Sequence, residues 1–383
     1  MHDTTSNRND SPTDAGRDHV PETRLFQDIL KQPAQLNASL AHTLGAGRSA
    51  LEAAAAALRE ARCPIITGIG ASWHAGMAMQ ALLLAAGCPA LLVEASELLH
   101  FADLPHEATV VFLSRSGKST EIVQLLEKCR KKAATILSIT NQPDSPLAQG
   151  SDIVLHTRTD FDHAVSVTTY SAIAMTGALL AFEAIGPSAR SVQDALHQAL
   201  LDAQAAIPGW RKTIEASSWL DSGNGYTYFL ARGASLASCH EARLLWEEAA
   251  KRPATAMTTS GFRHGPQEIV REGFFAGLWI DAERTRAQDL ELARDLKRLG
   301  ARVLLIGQGI EENSGDCVLG LPPVPAPWQF LTEIIPIQIA AERLAALRGE
   351  DPDSFRLCSY IVEDEGGIRQ PSRPATSKGT KEP

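Results

Sequence analysis

The chain has no block of lysines and arginines: 36 basic residues are spread over 383 positions against 45 acidic ones, for a formal net charge of −9. A surface that neutralises a phosphate backbone needs clustered cations, so this distribution argues against nucleic acid as a partner. Cysteine is sparse, and Cys63, Cys88, Cys129, Cys239, Cys317 and Cys358 are widely separated with no C-x-x-C pair. Four of them fall within apolar segments, which predicts buried thiols of a cytosolic protein rather than disulfides or a metal site. The most apolar helical stretch, Ser171 to Gly186, is interrupted by Thr176 and Glu183 and reads as too short to cross a bilayer. The opening residues MHDTTSNRNDSPTD are polar and have no signal-peptide core. These absences lead to an expectation of a soluble cytoplasmic protein without a membrane partner.

What is present is ordinary globular composition, 44% hydrophobic and 21% charged, over a length that favours two domains. Residues 1–22 show no apolar periodicity and are expected to be disordered, as is the Pro-, Ser-, Lys- and Gly-rich tail over 366–383. A helix is predicted over 23–44, and the Ala-rich stretch from Leu51 to Ala61 is helical by propensity. From Pro64 the rhythm changes. Short apolar runs at Pro64–Thr67, Ala90–Val93, Thr109–Leu113, Thr135–Thr140 and Asp152–Leu155 alternate with helical patterns, which implies a parallel doubly wound sheet.

The rhythm then recurs. Tyr226–Leu230 leads into Ala231-Arg232-Gly233-Ala234-Ser235, an echo of Gly68-Ile69-Gly70-Ala71-Ser72, and Phe274–Ile280 and Arg302–Ile306 supply further strands. We read an internal duplication and an α/β fold of two tandem doubly wound sheets, with domains over 45–190 and 205–345 and a C-terminal segment over 346–365 expected near the active site.

The densest chemistry lies at Val110 to Glu121, where an apolar strand turns into a helix through Ser114-Arg115-Ser116-Gly117-Lys118-Ser119-Thr120. Such a turn aims backbone N–H groups and the positive end of a helix dipole at one point, and the hydroxyls add donors. The arrangement suits a phosphate or carboxylate; the competing reading is that the serines only cap the helix. In open parallel sheets ligands sit at the carboxyl ends of strands near the point where strand order reverses, which selects Gly68–Ser72 and Ser114–Ser119. The Gly-x-Gly of the first loop lacks the third glycine of a dinucleotide fingerprint, and Glu94 only approaches the acidic position that would follow.

A second feature is the helix predicted over Ala237 to Ala250, whose stripe Ala237, Glu241, Leu244, Leu245 and Glu248 carries two carboxylates seven residues apart. Burial raises a carboxyl pKa toward the range of a general base, whereas pairing with arginines across a domain interface would make both glutamates structural. Periodicity leaves these two readings level. Glu247 points about 100° away. The third feature is Thr258-Thr259-Ser260-Gly261-Phe262-Arg263-His264-Gly265-Pro266, read as a loop ending where Pro266 begins a helix. His264 there is poorly placed for a core and well placed for proton transfer.

Together Gly68–Ser72, Ser114–Ser119 and Ser260–Pro266 resemble the double sugar isomerase (SIS) domain proteins, over about residues 24–365. These are similar to the isomerase half of glucosamine-6-phosphate synthase and to its shorter deaminase and isomerase relatives, and the wording leans toward the galactosamine-6-phosphate branch. Leu25 to Pro33 looks like the family's N-terminal helix ending in Gln-Pro. The resemblance implies two flavodoxin-like SIS domains and a cofactor-free homodimer acting on a phosphorylated amino sugar. It implies that Ser72, Ser114, Arg115, Ser116 and Ser119 hold the phosphate, with Val165 lining the sugar pocket and Glu241 also on the substrate. Glu248 then moves a proton between C1 and C2, and His264 opens the ring from the neighbouring subunit.

Two departures bear on the reaction. No glutaminase segment with an N-terminal cysteine precedes Thr23, so ammonia from glutamine is not expected, and Leu357-Cys358-Ser359 stands where the synthase has Leu-Ala-Lys. Deamination or isomerisation of a hexosamine 6-phosphate is therefore expected, with deglycation of a ketosamine 6-phosphate or glutamine-independent isomerisation as alternatives. A sugar-phosphate sensor is the reading from another class, but it has no need of Glu248 and His264 together.

Overall fold

The structure, a computed structural model, describes residues 22–186, 188–220 and 225–368. The disorder expected of the two termini concerns residues that lie almost wholly outside these. Thr23 caps the first helix, its side-chain oxygen accepting from the Phe26 N–H at 3.1 Å. That helix, α1 (Arg24–Leu44), does not end at Gln32-Pro33 but runs through the proline. The interior proline costs about 3 kcal/mol. Leu36, Leu40 and Leu44 lie beyond it and are buried; each contributes about 1.5–3 kcal/mol, so continuing the helix is favoured.

The first repeat follows as α2 (Arg48–Glu60), β1 (Ile65–Gly68), α3 (Ala71–Ala85), β2 (Leu91–Glu94), α4 (Ala95–His100), β3 (Thr109–Ser114) and α5 (Thr120–Lys131). It continues through β4 (Thr135–Thr140), α6 (Pro146–Gly150), β5 (Ile153–His156) and α7 (Thr168–Ile185). The helix α8 (Gln193–Ala216) leads to the second repeat: β6 (Thr227–Ala231), α9 (Leu236–Glu248), β7 (Ala254–Thr258), α10 (Thr259–Arg263) and β8 (Phe275–Trp279). Then come α11 (Arg286–Arg298), β9 (Arg302–Gln308), β10 (Cys317–Leu321) and α12 (Phe330–Arg348).

Every strand pairing is parallel, in two five-stranded sheets ordered β2-β1-β3-β4-β5 and β10-β9-β8-β6-β7. Renumbered within its own repeat, the second order is that of the first, the flavodoxin-like 2-1-3-4-5. The duplication extends to the backbone: Gly70 and Gly233, at matching turns after the first strand of each repeat, both have φ +56°. Two strands had not been expected, β7 and β10. β7 is a half-exposed edge strand of sequence Ala-Thr-Ala-Met-Thr, and β10, Cys-Val-Leu-Gly-Leu, is a short edge strand with a glycine inside it.

One large core joins the repeats through the helical layer of α1, α3, α7, α8, α9 and α12, and smaller cores back the outer faces of each sheet. At the centre lies α7. At 18 residues it is long and apolar enough, by length and composition, to cross a bilayer, contrary to the expectation for that stretch; 83% of it is buried inside the protein. Its start is fixed by Asp162, whose carboxylate accepts from the N–H groups of Val167, Thr168 and Thr169 at 2.9–3.0 Å.

Candidate active site

β1 and β3 are neighbours although β2 lies between them in sequence, so the first sheet reverses direction there and the loops at their carboxyl ends diverge around a crevice. A cavity of about 240 Å³ occupies it, with Gly70, Ala71 and Ser72 on one side and Ser114, Arg115, Ser116 and Ser119 on another. The Ser114–Ser119 turn organises itself. Ser114 Oγ accepts from the Gly117 N–H at 3.0 Å and Ser116 Oγ from the Lys118 N–H at 3.2 Å, which leaves each hydroxyl hydrogen to donate elsewhere. Gly117 has φ +62°, and a Cβ there would come within 2.2 Å of Ser145 Oγ, so only glycine fits.

Glu248, the last residue of α9, brings a carboxylate to the wall of the same cavity beside Leu244. Burial pushes its pKa up to about 7, with the neighbouring Glu241 adding to the rise and Arg115 opposing it. A carboxylate that titrates near neutral pH, facing an anion cradle across a small cavity, can take and return a proton on a bound anion's carbon skeleton. Glu247 turns aside and pairs with Arg243.

The roof is the segment after α12, which contributes Phe355, Cys358, Ser359, Tyr360, Ile361 and Val362. Tyr360 Oη donates to the Asp162 carbonyl at 2.6 Å, and the Val362 carbonyl accepts from the Thr120 N–H at the start of α5. Lys251 Nζ holds the base of the segment through the carbonyls of Asp351 and Ser354 at 2.8 and 2.9 Å. Ser359, at the place where the resemblance puts a lysine, lines the cavity with its hydroxyl donated to the Ile361 carbonyl.

The structure therefore brings Ser72, Ser114, Arg115, Ser116, Ser119 and Glu248 together. Three other expectations need correction. Glu241 does not line the cavity: it is fully buried against His74, because position 241 on α9 faces α3 rather than the crevice. Val165 is buried in the core, and its neighbours Ala164 and Ser166 line the cavity instead. The Thr258–Pro266 stretch is the end of β7, the short helix α10 and a 3₁₀ turn rather than a loop, and His264 stands exposed at the end of α10, away from the cavity of its own chain.

The segment over 346–365, expected near the active site, supplies this roof, but sequence reasoning did not single out Tyr360 or Glu121, whose buried carboxylate also lines the cavity with Oε2 unpartnered among the described residues. The apolar residues Phe355, Leu357, Ile361 and Val362 around Tyr360, in a segment without helical or strand periodicity, were the available signal. Among the described residues no cluster of three His, Cys, Asp or Glu is arranged for a metal ion.

The second repeat has the same crevice, a cavity of about 200 Å³ lined by Arg232, Gly233, Ser235 and Asp281, and there the loop after its third strand brings a carboxylate in place of the serines. Asp281 Oδ1, after β8, accepts from the N–H groups of Glu283 and Thr285 at 3.0 Å and from that of Arg284. Ser235, the counterpart of Ser72, donates to the buried Glu333 at 3.0 Å.

The fold is that of a doubly wound α/β protein with an open crevice at the switch point of its first sheet. The model of the SIS domain matches residues 57–183 of the chain. The chain is 28% identical over 354 residues to glutamine–fructose-6-phosphate aminotransferase (isomerizing) of Pyrobaculum aerophilum, a match over 89% of this chain and 57% of that protein. The chain thus spans a little over half the length of such relatives. Among solved structures, the C-terminal domain of glucosamine-fructose-6-phosphate aminotransferase from Francisella tularensis superposes with a TM-score of 0.76 at 19% identity, over 88% of this chain and 99% of that one. Glucosamine-6-phosphate deaminase from Thermotoga maritima superposes with a TM-score of 0.73 at 20% identity, over 89% and 99%.

Proposed function

We propose that the chain isomerises and deaminates an amino-sugar 6-phosphate, giving the ketose 6-phosphate and ammonia. The observation that carries this reading is Glu248, whose carboxyl is raised to about 7 in a cavity that also holds the open serine cradle. Ser72, Ser114, Arg115, Ser116 and Ser119 hold the phosphate, by hydroxyl donation and the positive helix end. Glu248 then takes the C2 proton of the ring-opened sugar and returns it to C1 through an enolamine, and water adds to the resulting C2 imine, giving the ketone as ammonia leaves, chemistry that needs no redox cofactor. Support also comes from the names of the relatives, an aminotransferase that isomerises fructose 6-phosphate and a deaminase of glucosamine 6-phosphate.

His264 completes the site from a second copy of the chain. It is exposed on the second repeat, and an isologous dimer can deliver it to the partner's cavity. We place this homodimer in the cytoplasm, where six free thiols stay reduced. The test is purified protein incubated with hexosamine 6-phosphates and ketosamine 6-phosphates, with ammonia and ketose measured separately. Ammonia with ketose 6-phosphate from a hexosamine 6-phosphate supports the reading. Ketose without ammonia leaves isomerisation alone, release of an amine from a ketosamine substitutes deglycation, and no turnover of any of them removes the enzyme assignment.

A further inference from the structure

Two ionisable side chains that the cavity does not use meet across the boundary between the repeats. His74 Nδ1 lies 2.8 Å from Glu241 Oε2, with the two side chains 3% and 0% exposed. Glu241 Oε1 has no hydrogen-bond partner among the described residues. His74 sits two residues beyond Ser72 in the first turn of α3, and Glu241 two turns before Glu248 on α9. The bond therefore ties the helix that opens at the phosphate cradle to the helix that ends at the base.

We infer, resting on the function proposed above, that His74 and Glu241 are a positioning pair that sets the register of α9 against α3 and so the reach of Glu248 over a ligand held at Ser72 and Ser116. An apolar helix contact can slide, because dispersion has no direction, whereas one buried hydrogen bond has a single good length and angle. The pair is net neutral. Burial pushes the Glu241 carboxyl up to about 8 and the His74 ring down to about 3, so an uncharged acid donates to an uncharged ring. His74 is held in turn by ring contacts to Trp73 and His240 at 5.9 and 5.7 Å.

The experiment compares the wild-type chain with Glu241→Gln and with the double variant Glu241→Leu/His74→Phe, using the hexosamine 6-phosphate that the wild type turns over. Gln keeps a donor to Nδ1, and replacing both partners by apolar groups keeps the fold, since no buried polar atom is orphaned. The expected result is near wild-type kcat for Glu241→Gln. The double variant is expected to lose about ten- to a hundred-fold in kcat, the effect of a misplacement near 1 Å, with KM unchanged. If the double variant does not fold, Glu241→Met/His74→Leu makes the same comparison in a smaller volume. A folded double variant with wild-type kcat, or one whose KM rises as kcat falls, overturns the inference. A wild-type chain that turns over no such sugar overturns instead the reading on which it rests.

Discussion

The guanidinium of Arg115 lies over the ring of Tyr360, 4.3 Å from its centroid, while its Nη2 donates to the Tyr360 carbonyl at 2.9 Å. A residue of the Ser114–Ser119 turn thereby latches the roof of the cavity. Tyr360→Ala removes the ring contact and the hydroxyl bond to Asp162 and leaves the carbonyl. The stacking alone is worth about 0.5–2 kcal/mol, so KM is expected to rise about two- to thirty-fold with a smaller change in kcat. Steady-state kinetics check this, and an unchanged KM would show that the roof does not hold the ligand.

The matching crevice of the second repeat presents the Asp281 carboxylate, which repels an anion, so one phosphosugar is expected per chain. Isothermal titration reads the stoichiometry. Asp281→Ala is expected to destabilise the start of α11 by about 0.5–2 kcal/mol, the loss of a capping carboxylate, without altering KM. Two equivalents bound per chain would contradict the assignment of a single open cradle.

Glu333 gives a pH test independent of catalysis. Burial raises its pKa to about 7, against the opposing hydrogen bonds from Gln329 and Ser235. The folded state thus holds a proton that the unfolded state releases near 4.5. This stability is fully present below about pH 4.5 and is lost as pH rises through 7. Glu333→Gln cannot titrate, so the difference in denaturation midpoint, wild type minus variant, is expected to fall between pH 5 and 8. A difference that stays flat or rises over that range would show that the carboxyl is ionised throughout.

His264 is exposed and absent from the cavity of its own chain, which makes the shared site testable by mixing. Ser116→Ala/Ser119→Ala in one chain and His264→Ala in the other are each expected to be inactive. In a mixed dimer one site carries both defects and the other neither, so about half of the wild-type rate per dimer is expected. Subunit exchange without recovery, or an active monomer by sedimentation, contradicts the arrangement.

Much of this was legible in sequence because it rests on local rules. Thr135–Thr140 is a strand end to end as read, and the serine turn is where the first sheet reverses, as an apolar run followed by hydroxyls and an amphipathic helix predicts. Helical phase separated Glu248 from Glu247. It could not separate Glu248 from Glu241, since both lie on one stripe and only tertiary packing decides that one end of α9 meets the cavity and the other meets His74. The closing segment was expected near the site, but not how it is fastened: Tyr360 reaches Asp162 across 198 residues, a contact that no periodicity encodes.

The account depends most on Glu248 as the group that moves the proton. The direct measurement is deuterium uptake at C1 and C2 of the turned-over sugar phosphate in D₂O, followed by NMR for wild type, Glu248→Gln and the off-stripe control Glu247→Gln. Wild type and Glu247→Gln are expected to exchange alike, with wild-type exchange rising through a pD corresponding to a pKa near 7 as the Glu248 carboxyl ionises. Glu248→Gln is expected to bind the sugar phosphate normally and to exchange about 10²–10⁴-fold more slowly. Exchange at the wild-type rate in Glu248→Gln, or an equal loss in Glu247→Gln, would contradict the account.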